Sequence, residues 1–184
     1  NLFPTFIDVL NQVRVVLNES EYSSDNKGDY TGALVTRIKS LTNGINGMIF
    51  SGDSLTDSQL FDENVIIDLG QVGSTETKSL IMGLLVLKLQ EYRISQGEPD
   101  NTKLKHLTVI EEAHNLLKRT SLEQTSESSN LLGKSVEMLA NSIAELRSFG
   151  EGFIIADQSP GLLDMSVIRN TNTKIIHRLP DFGD

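Results

Sequence analysis

Four short, largely apolar runs, at 65–69, 107–111, 153–156 and 174–177, are separated by segments whose apolar residues recur at helical spacing, and this alternation narrows the available architectures most. The runs are near-continuous, as in Val65-Ile66-Ile67-Asp68-Leu69 and Phe153-Ile154-Ile155-Ala156, and do not alternate apolar with polar. Strands of that kind bury both faces, so the chain is expected to form an α/β fold with a parallel sheet covered by helices on both sides. Right-handed crossovers between such strands gather their C-terminal ends at one sheet edge. Asp68, Glu111, Gln158 and Arg178 all fall at those ends.

Between the runs, Ser74 or Thr75 caps a long helix through Leu80, Leu84, Leu87, Leu89 and Ile94, which Gly97-Glu98-Pro99-Asp100 ends. A Ser-rich polar loop is expected at 119–130, then a helix with Val136, Leu139, Ile143 and Leu146 on one face, and a short helix at 161–169. Upstream, Phe3, Phe6, Ile7, Leu10, Val13 and Leu17 have helical spacing, with Pro4 suited to an opening turn. A second helix through Leu34, Ile38 and Leu41 is expected to stop at Asn43-Gly44, completing a helical hairpin, with Met48-Ile49-Phe50 extended between glycines. The expected division is a helical subdomain at 1–60 and a sheet-bearing core at 61–184.

With 184 residues and 38% hydrophobic content, the chain is long enough for a real core. A formal charge of -9 argues against nonspecific nucleic-acid binding over the whole surface, because phosphate neutralisation needs clustered Lys and Arg. Lys103, Lys105 and His106, and the pair Lys118 and Arg119, read as solvated face. No run approaches the roughly 18 to 20 apolar residues of a membrane span, and no basic-then-apolar leader opens the chain. The absence of cysteine excludes disulfides and thiolate metal sites and suits a reducing cytoplasm.

The chemistry concentrates in Leu107-Thr108-Val109-Ile110-Glu111-Glu112-Ala113-His114, a buried-type strand ending in adjacent carboxylates. This is the pattern of a Walker B strand: Glu111 would hold Mg²⁺ directly or through water, and Glu112 would polarise a water for attack on a γ-phosphate. The bland alternative is an acidic start to the next helix, favoured by its dipole. Gln158, in Asp157-Gln158-Ser159-Pro160 after the third run, could hydrogen-bond both that water and a phosphate oxygen, or simply precede a proline turn. Arg147, near a helix end, could reach phosphate in an adjoining subunit or neutralise the helix C-terminus, and Arg178 carries the same ambiguity. His114 reads as a hydrogen bonder and not a zinc ligand. A metal-dependent hydrolase built from Glu111, Glu112, His114 and Asp157 is a further reading.

The chain contains no G-x-x-x-x-G-K-S/T. Gly70-Gln71-Val72-Gly73-Ser74-Thr75-Glu76-Thr77-Lys78-Ser79 ends like a phosphate loop, but Thr77 and Val72 stand where glycines are required, and a Cβ there obstructs backbone approach to phosphate.

Taken together, residues 64–69 with the long helix, 107–117, 145–160 and 172–178 resemble the HerA/FtsK superfamily of hexameric nucleic-acid pumps, closest to the conjugative-transfer ATPases of type IV secretion systems. The order matches: acid pair, helix with Arg147, Gly150 before a strand, Gln158 with Ser159-Pro160, then the 172–178 strand, while Pro4-Thr5-Phe6-Ile7-Asp8 looks similar to the helical insertion between Walker A and Walker B. The resemblance implies an incomplete P-loop (RecA-like) ATPase core, binding ATP and Mg²⁺, with Glu111 as the Walker B acid, Glu112 as the catalytic one, Gln158 as the sensor, and Arg147 or Arg178 contacting phosphate. Where the family usually has Asp, this chain has Glu111. The resemblance also implies a hexameric homo-oligomer moving DNA, or DNA with protein, in the cytoplasm or at the inner face of the membrane beside secretion machinery. The Walker A strand would lie upstream of residue 1, so these residues would be a C-terminal portion, nearly inactive alone. A noncatalytic ATPase-like assembly module is the alternative.

Overall fold

A computed structural model describes residues 4–21, 24–50, 55–99, 103–119 and 127–177. Phe3, Gly52, Asp100, Arg178 and residues 120–126 of the expected loop lie outside the described residues. The chain divides into two compact units, Asn1–Thr56 and Asp57–Asp184.

In the first unit, Thr5 opens α1 (Phe6–Glu19) with a capping box: its hydroxyl accepts the Asp8 N–H while the Asp8 carboxylate accepts the Thr5 N–H at 2.8 Å. Leu10 and Leu17 are its buried residues. Helix α2 (Ser24–Tyr30) continues through a π-helical turn, Thr31–Val35, into α3 (Thr36–Ser40), which packs on α1. Residues 48–50, expected to be extended, lie instead in and just after α4 (Gly44–Ile49). A helix satisfies its amides locally, whereas an extended segment needs a partner strand. Phe50 closes this unit edge-on against Phe6, with ring centroids 5.0 Å apart.

The second unit mixes helices with a small parallel sheet. After α5 (Asp57–Phe61) comes α6 (Thr75–Ser95), whose buried side chains Thr77, Ile81, Val86, Leu89 and Arg93 lie close to a four-residue repeat and so form one stripe. Strand β1 (His106–Ile110) pairs with β2 (Glu151–Ile155) in parallel, from His106↔Glu151 to Ile110↔Ile155, and α7 (Glu127–Leu146) makes the crossover between them. Helix α7 takes residues 127–130 from the expected polar loop. The expected helix at 161–169 is split into a 3₁₀ turn, Pro160–Leu162, and α8 (Met165–Asn170). Leu163 between them is extended and bridges to Lys118.

Of the four expected strands, those at 65–69 and 174–177 have no ladder among the described residues. Ile66 is 95% exposed, Ile175 81% and Ile176 76%. β-branched composition favours a pleated, half-buried surface but does not supply the neighbouring strand edge that makes one. The RecA-like completion of the sheet is therefore not seen.

Among the described residues of this unit, helical cover is also one-sided. Val86 of α6, Val136, Ala140 and Ile143 of α7 and Val167 of α8 form one core cluster with Ile110, Ala113, Leu116 and Leu117, while Phe61, Leu89 and Leu146 form a second. Phe153 packs against both and joins them. Leu107, Val109 and Ile154, on the opposite sheet face, remain about half exposed, where cover on both faces was expected. No helix among the described residues is long and apolar enough to cross a membrane.

Candidate functional site

The register of β1 and β2 ends the two strands side by side, so the turns that follow them rise together. Main-chain bonds stitch these turns: the Ala156 N–H donates to the Ile110 carbonyl at 2.9 Å, and the Ala113 N–H donates to the Ala156 carbonyl at 3.3 Å. Glu111 and Glu112 occupy the first turn and Asp157 and Gln158 the second. Gln158 Nε2 donates to Glu112 Oε1 at 3.2 Å, which brings together the two residues expected to share a water. Glu111 is exposed beside them.

Glu112 is the one described non-glycine residue with positive φ, at φ 50 and ψ 46. A left-handed backbone costs a residue bearing Cβ about 1–2 kcal/mol, and such strain persists only where the surroundings over-determine it. Here they do. The Glu112 carbonyl accepts both the Asn115 N–H at 2.9 Å and Asn115 Nδ2 at 3.0 Å, opening a 3₁₀ turn, Ala113–Asn115, in place of the helix that an acidic start would imply. The Ser79 hydroxyl, on the second turn of α6, donates to the Asn115 carbonyl. The Glu112 side chain stays 50% exposed.

His114 and Asp157 lie directly behind this pair. Asp157 Oδ2 accepts the His114 N–H at 2.8 Å and meets His114 Nδ1 at 2.9 Å, while Asp157 Oδ1 accepts the Ser159 N–H at 2.8 Å. Its carboxylate is 2% exposed. Burial alone would push the Asp157 carboxyl up, but the Ser159 and His114 amides, with the His114 imidazole, more than offset that and hold it below the ordinary carboxylate range. The sequence identifies His114 as a hydrogen bonder without showing its partner, because the two residues are 43 positions apart. The available signal was positional: each follows its strand by a few residues, at the same sheet edge.

Arg147 is not part of this cluster. It lies exposed in a 3₁₀ turn, Arg147–Phe149, before β2 and thus at the opposite end of that strand, about 15 Å away at ~3.3 Å per residue. Reach to a phosphate here would have to come from a neighbouring subunit, as the sequence reading allowed. Arg178 lies outside the described residues. Asp68 accepts the Gly70 N–H in its own turn.

The 70–79 segment does not offer a phosphate cradle. Ser74 caps α6, its hydroxyl accepting the Thr77 N–H at 3.1 Å and its carbonyl the Lys78 N–H at 3.0 Å, so those amides are engaged internally. Nor do the described residues contain a group of three His, Cys, Asp or Glu able to hold a metal ion, which leaves the metal-dependent hydrolase reading without support. Glu111, the carboxylate to which the sequence reading assigns Mg²⁺, is exposed and would leave most of such an ion's ligands to water and phosphate.

Comparisons with protein-family models, curated proteins and solved structures find no match to this chain.

Proposed function

We propose that the 106–158 region is the water-activating half of an ATP-hydrolysing site, belonging to a motor that pumps DNA, alone or with protein, through a homo-oligomeric, six-membered ring. The observation that carries this reading is the contact of Glu112 with Gln158 at the C-terminal ends of two parallel strands. Glu112 accepts a proton from the attacking water, and Gln158 orients that water and reads the γ-phosphate. Mg²⁺, held by Glu111 and by phosphate oxygens, would supply charge neutralisation when bound. The phosphate-binding loop would come from polypeptide outside these residues, and transition-state charge stabilisation depends on it, so the 184-residue chain alone is expected to hydrolyse almost nothing. The cytoplasm, or the inner membrane face beside a secretion assembly, is the setting this reading implies.

The test uses the protein with its upstream coding sequence included. Glu112→Gln is expected to lower the rate of phosphate release by at least about 100-fold while leaving ATP binding in place. An unchanged rate ends the assignment.

A noncatalytic assembly module is favoured by one observation, the half-exposed apolar face of Leu107, Val109 and Ile154. The upstream sequence separates the two. A strand followed by G-x-x-x-x-G-K-S/T supports hydrolysis, and its absence supports the module.

A further inference from the structure

Resting on the hydrolysis reading, we propose that His114 and Asp157 are positioning residues that hold the left-handed Glu112 turn and the Gln158 turn as one unit. Neither needs to touch nucleotide. The arrangement follows from the bonds already described: one buried carboxylate receives two bonds from His114 through Oδ2 and one from Ser159 through Oδ1, so a single side chain clamps both turns. His114 lies two residues beyond Glu112, and Asp157 immediately precedes Gln158.

The backbone between the clamps carries the strain. Glu112 is held left-handed, Ala113 is fully buried and donates across to Ala156, and His114 is then anchored by both its amide and its ring. Removing the ring contact loosens the anchor at His114 and lets Glu112, two residues before it, relax toward ordinary helical φ, which swings the Glu112 carboxylate away from Gln158. Because Nδ1 meets a carboxylate that accepts only, it carries the proton, which fixes the imidazole tautomer and plane. Water activation tolerates little misplacement, so a loosened turn is read as lost turnover and not as lost binding.

Three substitutions test this. His114→Phe keeps ring volume without a donor, His114→Asn keeps an N–H where Nδ1 lies, and Asp157→Asn keeps shape but loses the charge-assisted acceptor. In the protein with its upstream sequence, His114→Phe and Asp157→Asn are expected to lower kcat about 10–100-fold with KM for ATP within about twofold, and His114→Asn to recover most of the loss. In the 184-residue chain, amide hydrogen exchange should accelerate at least about tenfold at Ala113 in His114→Phe while β1 amides keep their protection, a local opening that global destabilisation does not mimic.

The outcomes separate. If Glu112→Gln abolishes hydrolysis but His114→Phe keeps full kcat, the positioning role falls and the hydrolysis reading stands. If Glu112→Gln hydrolyses at the normal rate, the hydrolysis reading falls, and selective exchange at Ala113 alone decides whether His114 holds the turn. Unchanged Ala113 exchange in both His114→Phe and Asp157→Asn overturns the proposal.

Discussion

At the scale of single residues, Glu112 combines a functional side chain with an unfavourable backbone, and the two can be separated by substitution. Glu112→Gly removes the Cβ clash of the left-handed region, whereas Glu112→Ala keeps it, so the glycine variant is expected to be the more stable by roughly 1 kcal/mol in urea denaturation. In an ordinary helix or strand the order would be reversed, which makes the sign the informative result. Asp157 gives a second test. Its carboxyl is held below the ordinary range in the folded chain, so its stabilising contribution is complete above about pH 4 and is lost as pH falls through the lower folded value. The stability gap between the parent chain and Asp157→Asn should therefore narrow with acidification below about pH 4 in denaturation measured across pH; a gap that is flat there would mean that the amides and imidazole do not stabilise the charged form. The paired acids and Gln158 were legible in the sequence because strand ends declare themselves locally. The conformation of Glu112 was not, since the Asn115 and Ala156 bonds that over-determine it appear only once the turns are stacked.

At the scale of elements, the edge opposite the candidate site is pinned by a buried ion network. Glu151, with its side chain fully buried at the start of β2, accepts from Arg93 Nε of α6 through Oε1 and meets His106 Nδ1 of β1 at 2.8 Å through Oε2. Arg93 continues to Asp62 Oδ1 and to the Phe61 carbonyl, both at 2.8 Å, which ties α5 into the same network. Glu151→Ala leaves the guanidinium buried beside a missing partner and is expected to lose about 3–5 kcal/mol by denaturant melting. A loss under about 1 kcal/mol would show that the network adds orientation without stability. The long helices were legible at this same scale: Ser74 with Leu80, Leu84, Leu87 and Leu89 announces α6, and Val136, Leu139, Ile143 and Leu146 announce α7, because periodicity and caps are properties of neighbours in sequence. The buried face of α6 was not legible, since Leu84, Leu87 and Ile94 are exposed and the packed stripe runs through Thr77, Ile81, Val86, Leu89 and Arg93. The runs at 65–69 and 174–177, expected as strands, form no ladder among the described residues for the converse reason. A strand is a relation between segments, and nothing within Val65-Ile66-Ile67 says whether an edge is waiting for it.

For the molecule as a whole, the consequence is a fold with more apolar surface than its core consumes. Ile66 and Ile176 contribute little to packing, so Ile66→Lys and Ile176→Lys are expected to change stability by no more than about 0.5 kcal/mol. The same changes should reduce concentration-dependent association measured by light scattering, because exposed β-branched segments and open sheet edges are templates for unwanted pairing. A destabilisation of several kcal/mol at either position would instead place that residue in a packed interior. The stacked turns rest on only five residue pairs of β1 and β2, with Ala156 as the last stitch. Deleting one residue anywhere within β2 would shift everything after it by about 3.3 Å and turn each later side chain to the opposite face. Length changes in that strand should thus be as damaging as loss of either acid, because both acids and Gln158 are aligned only by its register.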